Sequence, residues 1–523
     1  MICCLCSTLL VSCTLDESPR DQIPEDAAYQ SATSLFQNTV ATLYTYIGGS
    51  EDGQGLQGTC RGVYDLQTFG SDEAMLPTRG GDWYDGGLWQ DMYRHSWTAG
   101  HELPKNAWLY LYKVITLCNR SLEQLETHSI LLSDNDYKSY VAEVRALRAI
   151  YYWYLLDLFG NVPIVTSSAV SMQEVKQSSR AEVFSFVVKE LQDTRAYLYW
   201  SYSQQPGDYY GRVTYPVATF VLAKLMLNAE VYSGKAHWQE TIEYCNEIEN
   251  MGYKLEYDYY RNFTVYNEYS SENIWTIPMD KDLYTNQQQN LFRSYHYRHA
   301  AAYGFTGENG SCATQKVLDI FGYGSNHEDA RFFLNYWSGE VYDLYFNYVT
   351  DRTGNQLIYY PREVAMDLSG SPYVETAGAR MKKYEVDKNA TKDGKLMDND
   401  IVLFRFADVL LMRAEAKFRL GGATYQYDGE GPTAQDDFNA VRDRVAENYR
   451  ELTLQNLLDE RLLELCWEGW RRQDLIRFGQ YESLFEGNAY YTKVNEKDGH
   501  TRLFPIPADA MATNHNLVQN PGY

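Results

Sequence analysis

The chain has 523 residues and a formal net charge of −24 at pH 7, from 46 Lys and Arg against 70 Asp and Glu. This charge argues against nucleic-acid binding, because no excess of cations is available to neutralise phosphates, and it disfavours docking on anionic lipid headgroups. With 45% hydrophobic residues, the chain is long enough to bury a large core without stabilisation by disulfides or metal ions. The 47 Tyr and 11 Trp are numerous, and their rings join an apolar face to a polar edge.

The N-terminal residues predict a targeting signal rather than a folded element. Residues 1–12 are small or apolar and end in Leu-Val-Ser before Cys13, which resembles the lipobox of bacterial lipoproteins. We therefore predict a signal peptide at 1–12, lipidation of Cys13, and a lipidated flexible tether at 13–28, since more than one acyl chain anchors a protein stably. An ordinary hydrophobic leader is the alternative.

Helical periodicity dominates the rest of the chain. Apolar residues at steps of three and four predict amphipathic helices, one of which ends at Gly160. Three helix pairs resemble tetratricopeptide repeats: 106–126 with 137–159, 215–233 with 237–250, and 400–420 with 433–446. We predict a mainly α fold in which tetratricopeptide-like helical repeats pack against an irregular, loop-rich region.

Two long, poorly periodic regions interrupt the helices. The first, about 48–103, is rich in Gly, Asp and Trp, and the second, about 252–395, is rich in Tyr, Asn and Gly. Long irregular stretches in a compact domain are usually functional, and binding residues often sit on loops held by a rigid scaffold. We therefore expect the ligand site on these insertions.

Several sequence blocks resemble the SusD/RagB family. Ala-Glu-Val-Arg-Ala-Leu-Arg-Ala at 142–149, followed by Leu-Phe-Gly-Asn-Val-Pro at 158–163, looks like the family's hallmark helix. Further family blocks are similar to residues 405–416, 438–444 and 460–475, and the C-terminus is similar to residues 505–523. With the lipobox, the resemblance covers essentially the whole chain in order, and it implies one SusD-like domain over 29–523.

The resemblance also implies a function. Members of the family are lipid-anchored proteins on the surface of the outer membrane of Bacteroidota. They capture oligosaccharides or polysaccharides and deliver them to a TonB-dependent SusC-like transporter. Family members are not enzymes, so neither a catalytic site nor a cofactor is expected.

The densest candidate ligand site is residues 78–89, Thr-Arg-Gly-Gly-Asp-Trp-Tyr-Asp-Gly-Gly-Leu-Trp. An indole face stacks on the C–H-rich face of a sugar, while carboxylates and Arg hydrogen-bond its hydroxyls. An aromatic platform often lies in the corresponding loop of the family. Trp83 is therefore the first candidate, and the predicted ligand contacts of this loop are Arg79, Asp82, Trp83, Tyr84 and Trp89. Packing of the tryptophans onto the helices is the alternative, and it weighs more for Trp89.

A second candidate cluster covers residues 303–313 and resembles a turn that the family places near its binding face. Tyr303 offers a ring for stacking, and Asn309 offers an amide for hydroxyls, although Asn309-Gly310 is equally explained as turn chemistry. Further aromatic candidates are Tyr284, Tyr295 and Trp337. Trp97 and Trp108 are expected in the core.

Other polar residues have structural interpretations. Charged residues of the helices are expected to form partly buried ion pairs, and these are Arg145, Arg148, Glu415, Arg442, Arg471 and Asp474. Five scattered cysteines without CxxC spacing are expected as buried free thiols, and these are Cys60, Cys118, Cys245, Cys312 and Cys466. Residues 398–400, Asp-Asn-Asp, lack the ligand spacing of a calcium loop, so a helix N-cap at Asp398 or Asn399 is predicted.

Two other functions remain as alternatives. In a glycoside hydrolase, Asp82 and Asp85 would serve as acid and nucleophile. A tetratricopeptide scaffold that binds only proteins would leave the Trp- and Tyr-rich loops unexplained. No HExxH motif or Gly-rich phosphate loop stands out, so no metal or cofactor is predicted.

Overall fold

The computed structural model describes residues 28–200, 206–283, 289–390, 396–482 and 498–523. The predicted signal peptide, Cys13, nearly all of the tether and Tyr284 lie outside these ranges. Within them, no helix is long and apolar enough to cross a membrane. The same ranges hold no group of three or more His, Cys, Asp or Glu arranged for a metal ion.

Eight helices of ten or more residues lie in the described ranges. They are α1 Glu102–Thr127, α2 Asp134–Phe159, α3 Arg180–Thr194, α4 Tyr215–Leu227, α5 Trp238–Asn250, α6 Phe406–Gly421, α7 Ala434–Asp443 and α8 Leu454–Leu465. Consecutive helices pack on each other from α1 to α7, and α8 packs on α6. The predicted mainly α fold with stacked helix pairs is therefore confirmed.

Local sequence signals set the ends of these helices. Ser133, Ser179, Thr433 and Thr453 are the N-caps of α2, α3, α7 and α8, and each side chain accepts a backbone hydrogen bond. Gly160 ends α2 with φ +73, a conformation that L residues with a Cβ rarely adopt. The scaffold is therefore fixed by caps as well as by its buried faces.

Shorter elements complete the fold. The shorter α-helices are Ala32–Phe36, Thr42–Gly48, Val63–Thr68, Leu88–Arg94, Ala229–Ser233, Gln289–Ser294, Tyr297–Ala302, Gln315–Ile320, Arg331–Asn335, Arg471–Arg477 and Ala508–Thr513. The strands are β1 Ala74–Met75, β2 Val162–Pro163, β3 Gln177–Ser178, β4 Asn273–Ile277, β5 Cys312–Ala313, β6 Tyr336–Trp337, β7 Gly339–Glu340, β8 Ile358–Tyr359, β9 Arg380–Met381 and β10 Ile401–Arg405. They form antiparallel pairs β1–β5, β4–β10, β2–β3, β6–β9 and β7–β8.

The two irregular regions fold against each other. In the β1–β5 pair, Ala74 lies opposite Ala313. The backbone N–H of Gln289 also donates to the carbonyl of Gly58 at 2.8 Å. The chain before α1 and the chain between α5 and α6 thus form one loop-rich body beside the helical stack, and residues far apart in sequence meet at their junction.

The prediction of one helix over residues 400–420 is wrong in its first turn. Residues 401–405 form β10, fully buried and paired with β4, and α6 begins only at Phe406. The β-branched pair Ile401-Val402 suits a buried strand. The predicted N-cap at Asp398 or Asn399 is wrong for the same reason, because Arg405 holds the N-cap position of α6.

The ion-pair and cysteine interpretations are confirmed. Each predicted charged residue has an opposite charge within 2.8 Å, in the pairs Arg145–Glu190, Arg148–Glu190, Arg477–Glu415, Arg442–Glu460, Arg471–Asp72 and Arg461–Asp474. The five cysteines are buried and free. Trp97 and Trp108 are buried core residues, as expected.

Candidate ligand-binding site

The loop that carries Asp82 and Trp83 begins with a tight turn. The backbone N–H of Arg79 donates to the carbonyl of Asp82 at 2.9 Å, and Asp82 donates back to Arg79 at 3.1 Å. Gly80 takes φ +67 in this turn, which a glycine adopts without a Cβ clash. The turn leaves the Asp82 side chain exposed and directs the following residue toward residues 308–310.

Trp83 is held in a strained but well-supported position. Its φ is +61, which is uncommon for a bulky residue and costs about 1–2 kcal/mol. The indole Nε1 donates to the carbonyl of Glu308 at 3.0 Å. The ring lies over Gly310, where an added Cβ would come within 2.8 Å of Trp83 Cε2. The side chain is half-buried, and these contacts hold the indole as a fixed platform at the surface. Backbone strain of this kind clusters at ligand sites.

A polar group of side chains lies next to this platform. The Tyr297 hydroxyl donates to Asp82 Oδ2 at 2.6 Å. The Arg352 guanidinium lies 5.2 Å from the centre of the Tyr297 ring, and it pairs with Glu375 at 3.5 Å. Burial, followed by the hydrogen bond with Asp82, raises the pKa of Tyr297, so its hydroxyl stays protonated at neutral pH. Donors and acceptors thus surround a half-buried tyrosine ring beside the exposed part of Trp83.

Tyr84 and Asp85 follow Trp83 in the same loop. Tyr84 is 53% exposed. Asp85 Oδ2 accepts hydrogen bonds from Arg61 Nη2 at 2.8 Å and from Trp89 Nε1 at 2.9 Å. The loop is therefore tied down at Asp85 while the Tyr84 ring remains available to a ligand.

Arg79 and Trp89 lie beneath this surface. The Arg79 guanidinium donates to the carbonyls of Val374 at 3.0 Å and Ala377 at 2.9 Å, and burial lowers its pKa to about 9. Trp89 is 1% exposed and meets the edge of Trp83 with ring centres 6.3 Å apart. In this structure both side chains support the platform instead of facing a ligand, because protein atoms occupy their polar groups and faces.

Asn309 is also buried, at the turn under Trp83. It takes φ +51, and its backbone N–H donates to the carbonyl of Tyr295 at 2.7 Å. This geometry agrees with the turn interpretation of Asn309-Gly310, since Asn tolerates the left-handed region. Its predicted hydrogen bonds to hydroxyls would require the turn to open.

Tyr303 belongs to a separate aromatic cluster. Its half-buried ring lies edge-on to Trp337 at 6.1 Å and to His299 at 5.0 Å. Trp337 Nε1 donates to the hydroxyl of the buried Tyr295 at 2.6 Å. Burial lowers the pKa of His299 to about 3, so that the cluster is neutral at its centre. Tyr303 and Trp337 remain partly accessible, whereas Tyr295 is a core residue.

The two carboxylates that a glycoside hydrolase would use as acid and nucleophile, Asp82 and Asp85, both accept hydrogen bonds from protein side chains. Asp82 accepts from Tyr297, and Asp85 accepts from Arg61 and from Trp89. These partners hold both side chains as hydrogen-bond acceptors.

A groove elsewhere on the described residues contains none of the predicted site residues. It measures about 400 Å³ and lies between α1 and the helix Ala508–Thr513, with Trp108, Tyr112 and Met172 among its mostly apolar walls. Ligand pockets combine apolar walls with a few convergent polar groups. The Trp83 surface combines a half-buried indole, neighbouring polar groups and backbone strain, and we therefore place the candidate site there.

Sequence reasoning missed Tyr297, Arg352 and Glu375. The run Tyr-His-Tyr-Arg-His at 295–299 was a usable signal, because aromatic and basic residues alternate there inside a loop-rich region. Nothing in the sequence links Asp82 to Tyr297, since 215 positions separate them. Their contact depends on how the two irregular regions fold together.

Comparisons with known families match two segments of the chain. Residues 271–523 match the model described as the SusD family. Residues 77–227 match a model described as starch-binding associating with outer membrane. Both ranges include residues of the candidate site.

Curated relatives cover most of the chain. The starch-binding protein SusD of Bacteroides thetaiotaomicron is 27% identical over an alignment that covers 91% of this chain and 89% of that protein. The SusD-like protein P25 of Formosa agariphila is 26% identical over an alignment that covers 80% of this chain and 79% of that protein.

Solved structures share the fold. A laminarin-binding SusD-like protein aligns with a TM-score of 0.70 at 22% identity, over 94% of this chain and 100% of that chain. Surface glycan-binding protein A from Bacteroides thetaiotaomicron, in complex with laminarihexaose, aligns with a TM-score of 0.72 at 21% identity, over 94% and 99%.

Proposed function

Because this chain belongs to the SusD/RagB family, we propose that it is a glycan-binding protein that captures oligosaccharides or polysaccharides at the Trp83 surface without cleaving them. The surface consists of Trp83, Tyr84, Asp82, Tyr297 and Arg352. The observation that carries the proposal is the strained Trp83 platform beside the Asp82–Tyr297 pair. Its indole is positioned to stack on a sugar face, and the neighbouring polar groups are positioned to bond hydroxyls.

Glucans are the first ligands to test. One relative is named as starch-binding, and two structures of the same fold are a laminarin-binding protein and a complex with laminarihexaose. Starch and laminarin differ in linkage, and sites that read linkage do so through ring spacing and orientation. The Trp83 indole suits a neutral pyranose chain, and the binding experiment below compares the linkages.

We further propose a place for the protein in nutrient import. As in the family that it resembles, lipidation of Cys13 would anchor it at the cell surface, and it would pass the glycan to a TonB-dependent SusC-like transporter. Cys13 lies outside the described residues, so sequence pattern and family membership support this part. A specific transporter contact is expected to bury about 1,200–2,000 Å² or more.

Binding and the lack of cleavage are tested together. Purified protein is incubated with immobilised starch, laminarin, xylan and pectin, and retention is measured alongside release of reducing ends. We expect saturable retention on at least one polysaccharide and no reducing ends above the background without protein. Product that scales with the amount of purified protein would overturn the non-enzymatic proposal, and failure to bind any glycan across a broad array would overturn glycan capture.

The anchor is tested in the native bacterium. Cys13→Ala should leave folding intact and reduce the outer-membrane fraction, whereas Cys60→Ala should not, because Cys60 is buried in the fold. Wild-type protein should co-purify with a large β-barrel in mild detergent. An unchanged membrane fraction after both Cys13→Ala and loss of the barrel would contradict the anchor.

A further inference from the structure

A second aromatic surface lies on the helical scaffold, in the segment between α3 and α4. All eleven tryptophans fall in the described ranges, and Trp200, at 52%, is the most exposed of them. Tyr197 and Tyr199 beside it are 54% and 45% exposed. A group of neighbouring exposed aromatic side chains is a candidate interaction surface.

The indole of Trp200 is held in place. Its ring centre lies 4.5 Å from that of Tyr215, with the planes 33° apart. Tyr215 is fixed in turn, because its backbone N–H donates to the carbonyl of Tyr199 at 3.0 Å and its ring lies 5.2 Å from the Arg195 guanidinium. Tyr199 stacks on Tyr209 with ring centres 3.6 Å apart. One side of the indole is therefore packed, and the rest is presented in a fixed orientation.

Hollows on both sides of Trp200 carry polar groups. A hollow of about 390 Å³ is lined by Trp200, Glu243, Asn246, Asn250 and Tyr427 among others. Another, of about 510 Å³, is lined by Trp200 together with Asn135, Lys138 and Ser139. These side chains supply amide, hydroxyl, ammonium and carboxylate groups, which form hydrogen bonds with sugar hydroxyls.

We propose that the Trp200 surface is a second carbohydrate-binding site, which takes a neutral pyranose chain. The Trp200 surface consists of Trp200, Tyr215, Glu243, Asn246 and Asn250. A sugar ring would stack on the free part of the indole, and its hydroxyls would bond Asn246 and Asn250 in the adjoining hollow. The proposal rests on the glycan-binding function above but uses residues of the helical half, none of which belongs to the Trp83 surface.

The charges in this hollow select the class of sugar. Glu243 accepts from the Tyr427 hydroxyl at 3.0 Å, and Glu247 pairs with Arg195 at 2.9 Å, which leaves Glu243 without a cation among these contacts. A carboxylate at the wall repels uronic acids and sulfated sugars. In this hollow a neutral glucan is therefore favoured over an anionic polysaccharide.

Two weak sites on one protein act together on a polymer but separately on a short chain. Binding at one site raises the effective concentration of a long polysaccharide at the other. An oligosaccharide too short to span the two sites gains nothing from the second. The Trp200 site should therefore matter most for retention on insoluble or immobilised polysaccharide.

The experiment compares Trp200→Ala, Trp83→Ala and the double variant in the full chain. Tyr257→Ala serves as the matched control, since Tyr257 is 96% exposed and lines neither hollow. Probes are immobilised starch and laminarin, with maltohexaose and laminarihexaose in solution. We expect Trp200→Ala to weaken retention on the polysaccharide by about tenfold and to leave hexasaccharide affinity at the Trp83 site unchanged. Weak residual hexasaccharide binding in Trp83→Ala should vanish in the double variant, and Trp200→Phe should restore part of the retention.

The outcomes separate this inference from the proposed function. If wild type binds glucan and Trp200→Ala matches Tyr257→Ala on every probe, the second site is overturned and the Trp83 site stands. If wild type binds no glycan at all, both are overturned. Circular dichroism of each variant ensures that a loss reflects the site, and Asn250→Ala, in the adjoining hollow, provides the loss-of-binding comparison if Trp200→Ala does not fold.

Discussion

The Tyr297 hydroxyl donates a 2.6 Å hydrogen bond to Asp82, and this contact joins the two irregular regions directly beside the Trp83 platform. The bond fixes the Asp82 carboxylate, so that one oxygen is bound internally and the other remains for a ligand. It also fixes the Tyr297 ring under Arg352. The pair therefore links the packing of the two irregular regions to the position of a carboxylate that we expect to contact the ligand.

Tyr297→Phe and Asp82→Asn should both weaken glycan binding. Tyr297→Phe keeps the ring and removes the donor, so we expect a loss of about 1 kcal/mol, within the usual range for one hydrogen bond. Isothermal titration of each single variant and of the double variant measures the coupling. If the two residues act as a unit, the double variant loses less than the sum of the singles. Strict additivity would contradict the role assigned to the pair.

Gly310→Ala should disturb the platform without touching a ligand. The new Cβ would lie 2.8 Å from Trp83 Cε2, too close for an unmoved ring. We expect Trp83 to shift and glycan affinity to fall, as seen by titration and by a changed indole fluorescence maximum. Gly81→Ala is the matched control, because nothing lies within 4 Å of a Cβ at that position. Equal affinities for both variants would show that the Trp83 orientation is unimportant.

Arg405 should be essential for stability rather than binding. Its guanidinium pairs with Glu272, Glu464 and Glu468 at 2.6–2.7 Å, all fully buried. Burial alone would raise the pKa of Glu464, but neighbouring arginines, Arg405 among them, hold it well below its usual range. Arg405→Met would leave buried carboxylates with too few cations, and we expect a loss of about 3–5 kcal/mol in urea unfolding.

The control for that prediction is Arg352→Met. Arg352 is exposed, so its removal should change stability little while it weakens glycan binding. A stable Arg405→Met protein would contradict the structural role of the buried cluster.

Asp400 should make stability depend on pH. Burial, partly offset by hydrogen bonds from Tyr210 and from the N–H of Met279, raises its pKa to about 7. The unfolded value is about 3.9, so between about pH 4 and pH 7 the folded chain holds a proton that the unfolded chain has lost. The contribution of Asp400 to stability therefore falls as pH rises through that window.

Asp400→Asn removes the titration and tests this sign. Its Tm relative to wild type should rise between pH 5 and pH 8, since each pKa unit corresponds to about 1.4 kcal/mol. A difference in Tm that stays constant over this range would show that Asp400 is ionised throughout.

The helical scaffold could be predicted from sequence because its signals are local. Periodic apolar residues and Gly160 predict α1, α2, α4 and α5, with errors of a few residues at most of their ends. The prediction of one helix over residues 215–233 is wrong at Asn228, where α4 and the helix Ala229–Ser233 are separate, and α3 was not predicted. The strand β10 could not be separated from α6, because a short buried apolar run fits either element until its partner β4 is known.

The candidate site was only partly predictable. Trp83, Asp82 and Tyr84 stand out in a Gly-rich loop and lie at the surface, as expected for ligand contacts. Arg79, Trp89 and Asn309 also lie in Gly-rich segments, but their side chains are buried. Their burial depends on tertiary packing: Arg79, for example, contacts Gly310, 231 positions away, and Asn309 lies in the turn under Trp83. Composition finds the loop, and tertiary packing decides which side chains face outward.

Trp83→Ala measured by isothermal titration tests the central claim most directly. The ligand is the best oligosaccharide from the polysaccharide screen, and Trp108→Ala is the comparison, because Trp108 is a buried core residue. We predict that Trp83→Ala loses about 2 kcal/mol of binding, roughly thirtyfold in Kd, with a small loss in Tm. Trp108→Ala should lose about 3–5 kcal/mol of stability and keep its affinity while folded. Unchanged affinity in Trp83→Ala would remove this platform from the site and contradict the account.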